Sequence, residues 1–259
     1  MTRSALVTGI SRRAGIGWSV ARRLVADGWA VNGTGWPAHD DEQPWGGDQL
    51  DPAFEGLRWT PADLADPNVP ARLVEAHVAA HGGLDALVAV HARSSDQSLE
   101  TVTAAELDLS FAVNTRATVL LVQAAARAGV RRVVLFTTGV HRGPMPDELP
   151  YALSKAALQG ITASLAAALA PLGATVNCVN PGPNDTGYAD AGTLAFVADR
   201  MPLEHRWGRP QDVADLVAFL VSDAGGWITA QTIDSDGGWA VRGEPGPRPV
   251  TGRLTPGGP

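Results

Sequence analysis

The sequence holds one cysteine, Cys178, one lysine, Lys155, and two tyrosines, Tyr151 and Tyr188. A single cysteine excludes an intrachain disulfide and a metal centre of clustered thiolates, and it points to a reducing, cytoplasmic setting. Charged residues are scarce, 18% of the chain, and sum to −7 at neutral pH. That balance argues against nonspecific binding to nucleic acid or to an anionic membrane surface. No run approaches the ~18 apolar residues of a bilayer span. Met1-Thr-Arg-Ser4 leads directly into a short apolar segment and not into a leader peptide. The six histidines show no metal-ligand spacing, so no metal is expected, and the chain has no internal repeats. What remains, 259 residues with 45% hydrophobic content, suits one α/β domain with a sizeable core.

Against that scarcity, Leu149-Pro-Tyr-Ala-Leu-Ser-Lys155 stands out, because it carries the lone lysine four residues after a tyrosine. On a helix this spacing puts Tyr151 and Lys155 on one face, one turn apart. Pro150 suits the first turn, where its missing N–H costs nothing. A phenol has a pKa near 10, and a cation beside it favours the phenolate, so Lys155 is expected to lower the Tyr151 pKa. Lowered by roughly 3 units, Tyr151 would serve as a general acid/base at neutral pH.

Ser4–Thr8 reads as a buried strand, followed by Gly9-Ile-Ser-Arg-Arg-Ala-Gly15-Ile-Gly17 and then an amphipathic helix with Val20, Leu24 and Val25 on its apolar side. Strand, glycine loop and helix N-terminus form a phosphate cradle. The second strand, within Gly28–Trp36, ends in Gly35 and Trp36 and offers no acid to a ribose 2′-hydroxyl. Arg12 and Arg13 provide two positive donors for a 2′-phosphate, which favours NADP(H), unless Asp40, Asp41 and Glu42 fold back to the same place.

Thr8-Gly9…Gly15-Ile-Gly17 together with Tyr151-x-x-x-Lys155 resembles the short-chain dehydrogenase/reductase (SDR) family, over residues 4–239. The glycine loop is longer than usual, with five residues, Ile10 to Ala14, where the family has three. The resemblance implies a single doubly wound Rossmann domain, residues 1–242. Its seven-stranded parallel sheet would have the order 3-2-1-4-5-6-7 and helices on both faces. It implies cofactor contacts from Gly9, Ser11, Arg12, Arg13, Gly15, Ile16, Gly17 and Trp36, and from the acidic-apolar pair Asp63-Leu64 beside the adenine. His91-Ala92, Tyr151, Lys155, and the turn Pro181-Gly182 with Thr186 complete that set. It also implies a catalytic set of Asn114, Thr138, Tyr151 and Lys155. Asn114 lies within the helical pattern 103–128, where its propensity is poor; in the family its side chain kinks the helix and fixes a water. Thr138 stands thirteen residues before Tyr151, where the family has serine, and keeps the hydroxyl while narrowing the pocket. Ala89-Val90-His91-Ala92 replaces the family's Asn-Asn-Ala-Gly, and His91 reads as a satisfied structural histidine beside the cofactor.

His141 and Tyr188 are candidate substrate contacts, Tyr188 within a lid over 186–207. The Pro/Gly/acid-rich stretch 37–56 reads as a long loop with Trp45 as an apolar plug. Residues 243–259 read as a Pro/Gly-rich tail. The apolar helix after Lys155 must be covered, and the family covers it with a second subunit, so a homodimer or homotetramer is expected. The expected activity is NADP(H)-dependent interconversion of a carbonyl and an alcohol, nearest by resemblance to the 3-oxoacyl-(acyl-carrier-protein)-reductase-like branch. The alternatives are a non-catalytic dinucleotide-binding sensor or scaffold, and an NAD-dependent alcohol dehydrogenase.

Overall fold

The computed structural model describes residues 2–48, 53–54 and 56–241. Seven short strands carry the fold: β1 (Ser4–Thr8), β2 (Ala30–Gly35), β3 (Leu57–Pro61), β4 (Ala86–Ala89), β5 (Arg132–Phe136), β6 (Thr175–Asn180) and β7 (Thr232–Asp234). They pair in parallel in the expected order 3-2-1-4-5-6-7. An unforeseen two-residue strand, Ala53–Phe54, adds antiparallel to the free edge of β3. The central strands carry continuous apolar runs, Ala5–Val7, Ala86–Ala89 and Val133–Phe136, because a parallel sheet is covered on both faces. Alternate residues of β1 and β4 divide between the layers, with Val7 and Val88 on one side and Leu6 and Leu87 on the other.

One layer is α1 (Ile16–Ala26) and, from the far end of the chain, α8 (Pro210–Val221), which seal Trp18, Leu24, Val213 and Val217 against the sheet. Between α1 and the next long helix comes α2 (Pro37–Asp41), a single turn with Pro37 at its start. The stretch 37–56 is therefore not wholly a loop, as the sequence suggested. The opposite layer is α3 (Val69–His81), the pair α4 (Ala104–Ser110) and α5 (Ala117–Arg127), and α6 (Leu149–Leu169). A π-helical turn, Phe111–Arg116, joins α4 to α5. The last helix to be named, α7 (Ala191–Arg200), packs Val197 and Met201 against Trp207 apart from the sheet. The expected tail, 243–259, lies outside the described residues.

The helical stretches Ala104–Arg127 and Leu149–Leu172 are long and apolar enough to cross a bilayer, with a mean hydropathy of 1.2, although no such run was expected. Both instead cover the sheet, and both bury polar groups at their contact, Asn114 on one and Ser154 and Lys155 on the other.

Beneath α3 lies an uncompensated group. His77 is fully buried, neither ring nitrogen has a hydrogen-bond partner among the described residues, and the ring packs on His81 at 4.7 Å between centroids. Burial, and then the neighbouring His81, lower its pKa to about 4. The unfolded chain therefore takes up this proton first as pH falls. Its stabilising contribution is complete above about pH 6.5 and is lost on the way down to 4, a loss of up to about 3 kcal/mol. His77→Leu should remove that loss, so urea midpoints of wild type and variant should diverge between pH 7 and 4.5. Parallel pH curves would disprove this account.

Candidate active site

The C-terminal ends of the strands converge on one edge of the sheet, where a doubly wound fold opens its crevice at the reversal of strand order. β1 ends at Thr8, its register partners being Thr34 on β2 and Ala89 on β4. The loop that follows is closed by two glycines. Gly9 has a φ of +75°, and a Cβ on it would lie 2.8 Å from the His91 nitrogen; a Cβ on Gly17 would lie 2.3 Å from the Gly9 carbonyl. The first turn of α1 has no side-chain cap and no acidic residue. Its amides and the positive end of its dipole therefore remain available to an anion. That donor set fits a dinucleotide pyrophosphate.

Across β1, His91 is the junction of the site. Its ring Nε2 lies 3.0 Å from the Val113 carbonyl, which can only accept, so this nitrogen carries the hydrogen. Nδ1 then accepts from the Thr8 hydroxyl at 2.7 Å. Burial, and then the charge of Lys155, lower the ring's pKa to about 3. His91 is a neutral brace, as the sequence suggested, and it ties β1 to the π-turn. Its carbonyl accepts from Lys155 Nζ at 3.0 Å. Lys155 is 2% exposed, and burial lowers its pKa to about 8.

Asn114 lies on the π-turn and is fully buried. Its side-chain amide pairs with the Arg93 backbone as a strand would, accepting from N–H at 2.6 Å and donating to the carbonyl at 3.1 Å. It also donates to Ser154 Oγ at 2.9 Å. The expected distortion at Asn114 is thus the π-turn itself, a form of helix that turns side chains out of α-helical register. Ser154 was missed by the sequence reading, although it stands one turn after Tyr151 and next to Lys155, on the buried side of α6.

Tyr151 and Thr138 are brought together, near enough for the Thr138 hydroxyl to act on the phenol. The expectation for the phenol does not hold in this structure. Burial, and then the charge of Glu148, push the Tyr151 pKa above its ordinary value, while the nearby Thr138 hydroxyl opposes them only in part. The Thr138 hydroxyl also reaches Met145 Sδ at 3.5 Å.

Other expected contacts divide. Asp63 turns its carboxylate to the Ala65 N–H at 2.8 Å, beside a buried Leu64. Gly182 has a φ of +61° and donates to Asn180 Oδ1 at 3.2 Å, shaping the turn that runs from Pro181 to Thr186. Ser11 is buried, Arg13 and Ala92 are exposed, and Ile16 is half-buried at the start of α1. Trp36 caps the N-terminus of α2 in an exposed position. His141 is not free for substrate: its Nε2 pairs with Asp234 at 3.2 Å, in a cluster with Arg142 and Asn180. Burial would raise the Asp234 carboxyl, but the hydrogen bonds from Asn180 and Arg142 and the charge of His141 outweigh it and hold it low. Tyr188, 49% exposed, stands edge-on between Trp45 and Trp207 at 6.3 and 5.8 Å.

A family model described as Enoyl-(Acyl carrier protein) reductase matches residues 9–240. An uncharacterized oxidoreductase of Bacillus subtilis, YjdA, is 35% identical over 92% of this chain and 97% of its own length. Dehydrogenase/reductase SDR family member 4 of Homo sapiens is 31% identical, over 92% and 87%. The chain belongs to the short-chain dehydrogenase/reductase family. Among SDR structures, one from Serratia marcescens superposes with a TM-score of 0.79 at 31% identity, covering 92% of this chain and 98% of that one. A Burkholderia cenocepacia short-chain dehydrogenase in complex with NADP superposes at 0.77 with 34% identity, covering 92% and 97%. The chain is accordingly an oxidoreductase that uses a nicotinamide dinucleotide.

In this SDR an imidazole braces the end of β4. His91→Leu would take from the Thr8 hydroxyl the acceptor of its hydrogen and from the Val113 carbonyl the donor on Nε2, at about 1–3 kcal/mol each. Urea denaturation should show a loss of about 2–4 kcal/mol, and a loss under about 1 kcal/mol would mean His91 is not the brace described.

Proposed function

We propose that the protein is an NADP(H)-dependent reductase that converts a carbonyl to an alcohol, and the reverse, with Tyr151 as the proton donor and acceptor. The carrying observation is the juxtaposition of the Thr138 and Tyr151 hydroxyls, with Tyr151 one helical turn from a buried Lys155. A bound nicotinamide supplies or accepts the hydride. The chain's own part is to hold a carbonyl oxygen between two O–H donors and to deliver one proton. Thr138 donates to the oxygen, and Tyr151 donates as charge develops there. A phenol whose pKa is raised stays protonated, which suits the reductive direction. The buried ammonium of Lys155 favours the phenolate left behind and adds a donor facing the ribose. Asn114 holds Arg93 and Ser154 in place around it.

The neighbour solved in complex with NADP and the absence of an acid at Trp36 support the phosphorylated cofactor. Arg12, however, lies over the Trp45 ring at 5.5 Å instead of at the end of β2, and Asp48 touches Arg13. These two contacts favour an NAD-dependent alcohol dehydrogenase as the second reading. The domain is taken as 1–242, with 186–207 as a lid over the substrate. Wild type should reduce a panel of ketones with NADPH faster than with NADH. Tyr151→Phe should lose about 10²- to 10⁴-fold in kcat while binding NADPH as before. Equal turnover by the variant would remove Tyr151 from the mechanism.

We further infer a homodimer or homotetramer. Phe111, Leu153 and Ile161, on the outer face of the π-turn and α6, are 47%, 59% and 38% exposed, an apolar face that a second copy would cover. Sedimentation velocity should find no monomer at micromolar concentration, and a monomer would refute the assembly.

A further inference from the structure

The segment 43–48 crosses the crevice. At one end the Asp48 carboxylate accepts a hydrogen bond at 2.5 Å from the Arg13 backbone N–H, an amide of the phosphate loop. In the middle, Trp45 lies under the Arg12 guanidinium and meets the edge of Tyr188, which in turn meets Trp207. Arg12 Nη2 comes within 3.4 Å of where a Cβ on Gly187 would stand, so the same contact reaches the segment after β6. Upstream, α2 is moored by His39, whose Nδ1 lies 3.4 Å from Arg93 Nη1.

We propose that this segment competes with the dinucleotide for the phosphate loop, which makes Asp48 and Trp45 determinants of cofactor affinity and of the choice between a 2′-phosphate and a 2′-hydroxyl. The inference rests on the dinucleotide reading above. A carboxylate on a loop amide is the same kind of acceptor as a phosphate oxygen, and the two exclude each other there. Trp45 engages through its π face the guanidinium that a 2′-phosphate would recruit. A dianionic 2′-phosphate is repelled by Asp48, whereas a 2′-hydroxyl is not. The segment therefore disfavours NADPH more than NADH until it is displaced, and Arg12 becomes a phosphate donor only when Trp45 lets it go.

Isothermal titration of the full-length protein with NADPH and with NADH tests this. Asp48→Asn should tighten NADPH about five- to tenfold and NADH less, because both carry a pyrophosphate but only NADPH adds a 2′-phosphate for Asp48 to repel. Trp45→Leu should tighten NADPH about threefold. Arg12→Ala should weaken NADPH about tenfold and leave NADH unchanged. Binding by wild type with no change in Asp48→Asn overturns the competition while leaving the dinucleotide reading intact. Weaker binding of both cofactors by Trp45→Leu overturns it too, by making Trp45 a cofactor contact. Binding of neither cofactor by any form, with thermal unfolding unaltered, overturns the dinucleotide reading and the competition with it.

Discussion

A single ammonium held against a single carbonyl supports the architecture of this site. Lys155 is almost wholly removed from water, and a buried cation is tolerated only where polar groups replace its hydration. The His91 carbonyl does so directly, and it is fixed because the His91 ring is anchored on both sides, to Thr8 and to Val113. The ring in turn must stay neutral, since a second cation beside Lys155 would be repelled. From this junction a polar seam runs through the π-turn to Asn114 and Ser154, joining β1, β4 and α6 at the one edge of the sheet where reagents can enter. The compact head of lysine fits where the broad, forked guanidinium of arginine would not, which explains why a chain so poor in lysine has one here.

The opposing charges around Tyr151 give the site a definite resting state. Glu148, whose own pKa is raised by burial and by Asp96 and Asp147, works with burial to keep the phenol protonated. Partial burial of its ring, and then the same Glu148, push Tyr188 up to about 12. The mouth of the crevice is therefore acidic outside and uncharged within, with its cation one layer below. Loops of low regularity set this balance, and they are the segments best able to differ between relatives that share the sheet.

Local patterns made much of this legible beforehand. The Tyr151–Lys155 spacing, the glycine loop, Asn114 in an otherwise apolar helix and the alternation of strands with helices are all encoded within a few residues of one another, and periodicity reports such features directly. What was missed is which partner a residue finds in a distant segment. His91 meets Thr8 from 83 positions away, His141 meets Asp234 far along the chain, and Asp48 reaches back 35 positions to Arg13. The direction of the Tyr151 shift was misjudged for the same reason: proximity to lysine is visible in sequence, but burial and the placing of Glu148 beside the phenol are not. The apolar character of the two sheet-covering helices was underestimated because their few polar residues, read in one dimension, hide how continuous the remaining surface is.

The seclusion of Lys155 has a chemical corollary that extends to Cys178. The lone thiol is fully buried on β6, and burial pushes its pKa up to about 11, so hardly any of it exists as thiolate at neutral pH. The only lysine side chain is equally hidden. Among its side chains, the folded protein thus offers amine- and thiol-directed reagents almost nothing to modify. A cysteine introduced anywhere on its surface would be a unique handle for attaching a dye, a spin label or a support.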